Sequence, residues 1–445
     1  MIRIIALIAG FMSIIASISA QNLTLSPYSR FGIGEIFQST SARSMAMGDL
    51  GQATYSYANI NRLNPAGYAD LLYTTLDVSG FWQMSQLKTR SETENQFTSG
   101  FQNLMFGFPS NGPIVLTMGF SPYSAVGYDI STQYDVQIGD STRTGLSNYT
   151  SEGGLNQAFI GVAARLLDQR LKVGANGYYT FGNLVYRWES LVLNSSVSEF
   201  SSIRVNEAAF VAGGGVHVGI MYTDTLAGKR KGKSSSFDAP VTLFRIGGSV
   251  DHSFELQGDR LRTLDNNLGS VGILDTIGGA LELGGVTLPT KYGLGVTLTQ
   301  LGKWEVSAEA TYQNWQDFSY FSDAFSLSSG GLRIAAGGEW IPDITSNKYM
   351  NRVAYRAGAY RNDTYLTVDG TDITDVGFTI GLGLPASRKV INQFNREAAY
   401  SRVNIGLGMG RRGQLKDGLP LEELYFRARV GFTINERWFR RVRID

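Results

Sequence analysis

From residue 71 onward, apolar and polar positions alternate with a period of two. In residues 303–313 (KWEVSAEATYQ), Trp304, Val306, Ala308, Ala310 and Tyr312 share one face; Lys303, Glu305, Ser307, Glu309 and Thr311 share the other. In residues 424–434 (LYFRARVGFTI), Leu424, Phe426, Ala428, Val430, Phe432 and Ile434 oppose Tyr425, Arg427, Arg429 and Thr433. Successive strand side chains point to opposite faces, so each such segment is a strand with one apolar and one polar side. Fourteen stretches carry this pattern, divided by polar or Gly/Pro-rich breaks. They are 71–84, 98–108, 112–123, 154–167, 171–190, 205–223, 239–256, 286–300, 303–318, 329–342, 350–361, 372–385, 397–411 and 421–434. Before residue 71 the alternation is missing. Residues 26–35 (SPYSRFGIGE) are turn-rich, residues 40–53 have room for one or two short helices, and Pro65 breaks any helix in residues 59–70.

Alternation also suits a soluble sandwich, and three features favour a membrane barrel instead. The strands are long, whereas about 9–11 tilted residues already cross a bilayer. Connections alternate in length: 168–170 and 301–302 are tight, 124–153 and 257–285 long. Outer-membrane barrels have short periplasmic turns and long outer loops, and an even strand count puts both ends in the periplasm. Trp82, Trp188, Trp304, Trp315, Trp340 and Trp438 all fall near predicted strand ends, where indole prefers the headgroup region. Lipid tolerates no unpaired backbone, so the sheet must close. Its polar face then looks inward, with Lys291, Glu305, Glu309, Arg333, Glu339, Arg352, Arg356, Arg427 and Arg429 lining a lumen. The expected fold is all-β: a 14-stranded antiparallel transmembrane barrel with an N-terminal plug.

Composition sharpens this. The 445 residues include 53 Gly, 22 Tyr, 24 Phe and only 10 Pro, and 17% are charged, against about 25% in typical soluble domains. Residues 1–20 read as a secretory signal peptide: Arg3, an apolar stretch, then Ser19 and Ala20 before Gln21. No later run of about 20 apolar residues exists, which excludes a helical membrane protein. The absence of Cys excludes a disulfide or a lipidated anchor, and a net charge of +1 gives no attraction to nucleic acid.

Motifs for chemistry are weak. GKRKGKS (228–234) is one residue short of a phosphate-binding loop and reads as a basic turn. The glycines of GGGVHVG (213–219) and GLGMG (406–410) read as places where a strand packs against internal material or bends. His217 and His252 are the only histidines, too few for a zinc cluster. Glu422 and Glu423 sit at a strand start. The expectation is a protein that is not an enzyme and carries no cofactor or metal.

Four stretches carry a family resemblance: residues 41–71 (SARSMAMGDLGQATYSYANINRLNPAGYADL), TLPTKYGLGVTL (287–298), EATYQNWQDFSYF (309–321) and YRAGAYRND (355–363). Together the chain resembles FadL-type outer-membrane transporters of hydrophobic compounds, and SPYSRFGIGE and ERWFRRVRID resemble members from the Bacteroidota. The resemblance implies that Asn64, Pro65 and Ala66 match the family's plug triplet. It implies a plug over residues 21–70, a barrel over 71–435 and a periplasmic tail over 436–445 in the cell outer membrane. It implies passive uptake of hydrophobic compounds such as long-chain fatty acids, with a side exit in the third strand near Pro122; Ser124 stands where the family has a glycine. The alternative is a non-transporting barrel subunit of an outer-membrane secretion or assembly complex, with Trp438, Phe439, Arg440 and Arg441 of the tail as a docking segment and the apolar stretch 257–285 as a contact surface. Expected partners are outer-membrane lipid and lipopolysaccharide, hydrophobic small molecules and, on the alternative, other outer-membrane proteins.

Overall fold

The computed structural model describes residues 23–436 apart from 39, 139, 193–200, 229–240, 269–270, 277–280, 324–326, 328–329, 369, 387–400 and 416–420. The signal peptide, the tail with Trp438, Phe439, Arg440 and Arg441, and most of the basic turn lie outside the described residues. Among the described residues no helix is long and apolar enough to cross a membrane.

Fourteen strands form the wall: β1 (Thr74–Lys88), β2 (Thr93–Pro109), β3 (Ile114–Ala125), β4 (Ser141–Leu166), β5 (Leu171–Val192), β6 (Ser201–Ala227), β7 (Thr242–Ser253), β8 (Lys291–Gln300), β9 (Trp304–Gln313), β10 (Arg333–Trp340), β11 (Ala354–Val368), β12 (Thr371–Pro385), β13 (Arg402–Gly413) and β14 (Glu422–Glu436). Each pairs antiparallel with the next. Closure is made by β1 and β14, from Thr74 opposite Glu436 to Lys88 opposite Glu422. The closed 14-stranded barrel expected from the alternation is what forms. Exposed side chains such as Leu294, Val296, Leu298, Val306, Ile334, Phe378 and Ile380 cover the outer wall, while their sequence neighbours Thr297, Glu305, Ser307, Arg333 and Thr379 are buried inside. The exposed band is the surface that lipid covers.

Two expectations need correction. The long connections are not loops. Residues Tyr128–Ile138 continue as a strand against the upper part of β4, and Leu256–Leu268 pairs with the upper part of β6 and with Glu282–Thr287. The wall therefore rises well past the end of the barrel that lies away from the wall's own termini, Thr74 and Glu436, here the far end. Nor is every tryptophan at the headgroup level. Trp304 and Trp340 face each other across β9 and β10 near the wall's own termini, with Trp340 5.7 Å from Tyr355. Trp315, in contrast, is buried, stacked 4.4 Å from Tyr365. It sits in a short 3-10 turn, Trp315–Asp317, rather than in the strand expected to run to residue 318.

Candidate functional site

The N-terminal segment from Leu23 to Leu71 is mostly buried and touches the inward face of the wall throughout. Ser41 caps a short helix, Ala42–Met45, by accepting from the Ser44 N–H. Asn64 caps the 3-10 turn Pro65–Asp70 in the same way, accepting from the Ala66 N–H at 3.0 Å. The Asn64 amide also donates to the carbonyls of Gln52 at 2.7 Å and of Ile220 and Gly248 at 3.3 Å. The triplet thus ties the segment to itself and to β6 and β7. Close approach demands glycine in the wall: a Cβ at Gly174, Gly219 or Gly358 would overlap Pro65, Asn64 or Met47, and one at Gly406 would lie 2.7 Å from the Met45 sulfur. These include the glycines read above as packing places.

Charge latches the lower part of the segment. Asp70 accepts from Lys172 and, at 2.7 Å, from Arg245. Burial alone would raise the Asp70 pKa, but the two cations outweigh it and hold the carboxyl below its ordinary range. Arg43 reaches Glu305 and Glu339, each at 3.3 Å, and Arg356 donates to Glu339 at 2.6 Å. Glu309 accepts the backbone N–H of Gly51 at 2.7 Å and of Gln52 at 2.8 Å, and Arg429 lies 3.4 Å from Asp49. Arg333 donates to the Gly48 carbonyl, and Arg165 to those of Ala69 and Leu71.

The upper part is sealed differently. Ile33 packs with Val126, Leu155, Leu184, Val211, Leu256, Val286 and Tyr320 of the risen wall in one apolar cluster. Tyr28 packs with Trp315, Tyr365, Leu366 and Ile373 in another. Charge joins this level too: Glu35 accepts from Arg412 and Thr24, each at 2.7 Å, Arg412 also lies 3.5 Å from Glu423 and 3.7 Å from Asp375, and Arg260 pairs with Glu282 and Asp323 beside Tyr320. Burial would raise the Glu35 pKa, but Arg412 and Arg427 bring it down to about 2.

Between the two levels a chamber remains, lined by polar groups that include Arg62, Gln157, Asn176, His217, Asp251 and Lys291 and by apolar and aromatic ones that include Phe37, Leu63, Phe159, Tyr178 and Leu288. Among the described residues no group of three or more His, Asp or Glu side chains is placed to hold a metal ion.

The model of the BamG family matches residues 1–445 of this sequence. The chain belongs to the BamG family. No curated protein matches the sequence. Solved structures match this BamG-family barrel in fold. The toluene transporter TodX of Pseudomonas putida superposes with a TM-score of 0.53 at 14% identity, over 90% of this chain and 99% of that one. A FadL homologue of Pseudomonas aeruginosa gives 0.55 at 9% identity, over 90% and 98%. The toluene transporter TbuX of Ralstonia pickettii gives 0.50 at 14%, over 89% and 98%. The FadL-type fold expected from the motifs is therefore present.

The residues singled out in the BamG-family sequence are placed as follows. Pro122 does not end its strand: β3 runs on to Ala125, with a register shift against β4 between Pro122 and Ser124. The β2–β3 ladder spans only Leu104 opposite Phe120 to Pro109 opposite Val115. Above it, β3 pairs with the N-terminal segment, Ser124 opposite Ile36 and Ala125 opposite Glu35, and the Phe37 N–H donates to the Tyr123 carbonyl at 2.9 Å. Of the nine inward charges expected, eight face the lumen, and Arg352 instead belongs to the helical turn Tyr349–Arg352 before β11. The sequence reading did not single out Glu35, Asp49, Arg62, Asp70, Lys172, Arg245 or Arg412. Lys172 and Arg245 stand at inward positions of their strands, so strand parity alone could have marked them.

Proposed function

We propose that this protein is a closed, non-conducting outer-membrane barrel that serves as a subunit among other outer-membrane proteins. One observation carries the reading: a single N-terminal segment fills the lumen, held by charge toward the wall's own termini and mainly by an apolar core at the far end. That segment acts as a plug, and opening it would strip buried ions of their partners, which is strongly unfavourable. A second feature supports it. On the outward side of the risen wall, Phe210, Leu261 and Leu283 are 52%, 39% and 79% exposed on neighbouring strands, beside the paired residues Asp259 and Ala208. Large apolar groups gathered on an exposed surface mark contact sites. The fold itself does not decide between conduction and assembly, since one architecture hosts many functions. The test is purification in mild detergent followed by planar-bilayer recording. Co-purification with a stoichiometric protein partner and no conductance are expected; a solitary species that conducts would refute the proposal.

A second reading, passage of hydrophobic compounds with sideways exit, is favoured by the short β2–β3 ladder and the bulge at Pro122 and Ser124. It requires the Glu35–Ile36 strand to leave β3. Binding of a long-chain fatty acid and of an aromatic hydrocarbon by the purified barrel, together with uptake loss on deletion, would establish it.

A further inference from the structure

The chamber holds an imbalance of charge that nothing so far explains. At one level, five inward side chains on adjacent strands stand side by side: Asn176 opposite His217, His217 opposite Asp251, Asp251 opposite Lys291, and Lys291 opposite Gln313. Arg62 faces this row from the N-terminal segment. The charged groups lining the chamber are two cations, Arg62 and Lys291, and one carboxylate, Asp251. Neither cation has a carboxylate within 4.0 Å among the described residues. Arg62 donates to the Ser121 hydroxyl at 2.5 Å and to the Gln157 carbonyl, and lies 4.9 Å from the Phe159 ring centre. Among the described residues Lys291 donates to the Gln38 side-chain carbonyl, at 3.5 Å, and its cross-strand neighbour is Asp251. Asp251 in turn accepts from the Tyr178 hydroxyl at 2.6 Å. Arg43 of the same segment, in contrast, has Glu305 and Glu339 beside it. Arg62 and Lys291 are partly exposed, to the chamber, and a cation withdrawn from bulk water favours a counter-charge, so two cations against one carboxylate leave the chamber one positive charge in excess.

We propose that the chamber is a binding site for one small monovalent anion, held between the Arg62 guanidinium and the Lys291 ammonium. The ligand class is a compact monoanion, a halide or a one- or two-carbon carboxylate, because the charge excess is one and the free space of about 80 Å³ is small. The site stands apart from the question of partners: it concerns how the plug is neutralised inside the wall, and the loss of any partner would leave it intact.

The test uses the mature barrel purified in detergent, with bromide and acetate as probes. Crystals grown with bromide in place of chloride should show an anomalous peak in contact with both Arg62 and Lys291. Titration with acetate should raise the melting temperature of the wild type at constant ionic strength, and the rise should be largely lost in Lys291→Gln. Arg62→Gln should remove the peak; Lys291→Gln provides a second variant should Arg62→Gln fold poorly, because Lys291 gives up only one long hydrogen bond. A bromide peak with no effect of acetate narrows the ligand to halide; an acetate effect with no bromide peak narrows it to carboxylate. The proposal is overturned if neither probe acts, or if both act equally on Lys291→Gln and the wild type.

Discussion

The plug is one continuous segment, yet its two ends are held by opposite physics. Toward the end of the wall that holds Thr74 and Glu436, from Ala42 to Asp70, it is fixed by ions: Asp70 between Lys172 and Arg245, Arg43 between Glu305 and Glu339. Toward the far end, from Tyr28 to Phe37, it is fixed mainly by Ile33 and Tyr28 in apolar cores, with Glu35 as a charged anchor. The inner wall of a membrane strand is polar by default, because the outer wall has taken the apolar positions. Inside the membrane, then, a plug meets polar neighbours and must match them charge for charge. Above the membrane the risen strands have no lipid to face, and both partners can turn apolar groups inward.

The sharpest way to break the comparison is at Asp70. Asp70→Asn takes from Lys172 and Arg245 the anion they share, and breaking a buried pair from one side costs about 3–5 kcal/mol. Thermal unfolding in detergent should show a large fall in Tm, while bilayer recordings stay silent because the far apolar seal is untouched. Conductance in this variant would mean that the far end alone closes nothing. Next in size is Leu256→Ala. Leu256 is fully buried in the cluster around Ile33, and leucine truncation in a core costs about 2–4 kcal/mol. Its loss should be insensitive to pH between 3 and 7, which separates it from the ionic latch.

Acid should act on the ionic contacts selectively. The Glu35 carboxyl is lowered from 4.5 to about 2 in the folded protein, and that of Asp70 is also lowered. A depressed folded pKa gives stability that is complete above the unfolded value and is lost as pH falls toward the folded one. For Glu35 that window runs from about 4.5 down to about 2. Melting curves at pH 6 and pH 3 should show wild type losing stability, and Asp70→Asn losing less because one of its titrating latches is already gone. Equal losses in both would remove Asp70 from the set of groups that hold the plug.

The sequence carried the wall more plainly than its contents. Alternation in residues 303–313 and 424–434 places Glu305, Glu309 and Arg429 inside before any coordinates are known, because parity is a local property of a strand. What each of those charges meets is not local. Glu309 accepts from Gly51 and Gln52, residues 258 and 257 positions away, and that pairing depends on the path of a segment without periodicity. The glycines at 219 and 406 did announce a neighbour inside, but not that it would be Asn64 or Met45. Trp315 was misplaced for a related reason: an aromatic at a strand end suits the bilayer surface, unless the wall rises above it and offers a dry partner such as Tyr365.

The smallest expected effect tests whether charge alone, or burial of charge, makes the latches strong. On the risen wall, Arg187 and Glu152 form a pair at 2.7 Å, shorter than that of Arg43 with Glu305, but with 48% and 51% of their side chains exposed. In water such a pair contributes about 0–1 kcal/mol, since solvent screens both ions and either can be released without being stranded. Arg187→Gln should therefore shift the Tm little, and what shift there is should vanish at high salt. Arg187 and Glu152 lie as close as Asp70 and Arg245, 2.7 Å in each pair, so burial is what separates them, and the difference between the two variants measures how far desolvation sets the strength of the seal. If Arg187→Gln proved as damaging as Asp70→Asn, the plug would owe its hold to the number of ion pairs rather than to their burial in the lumen.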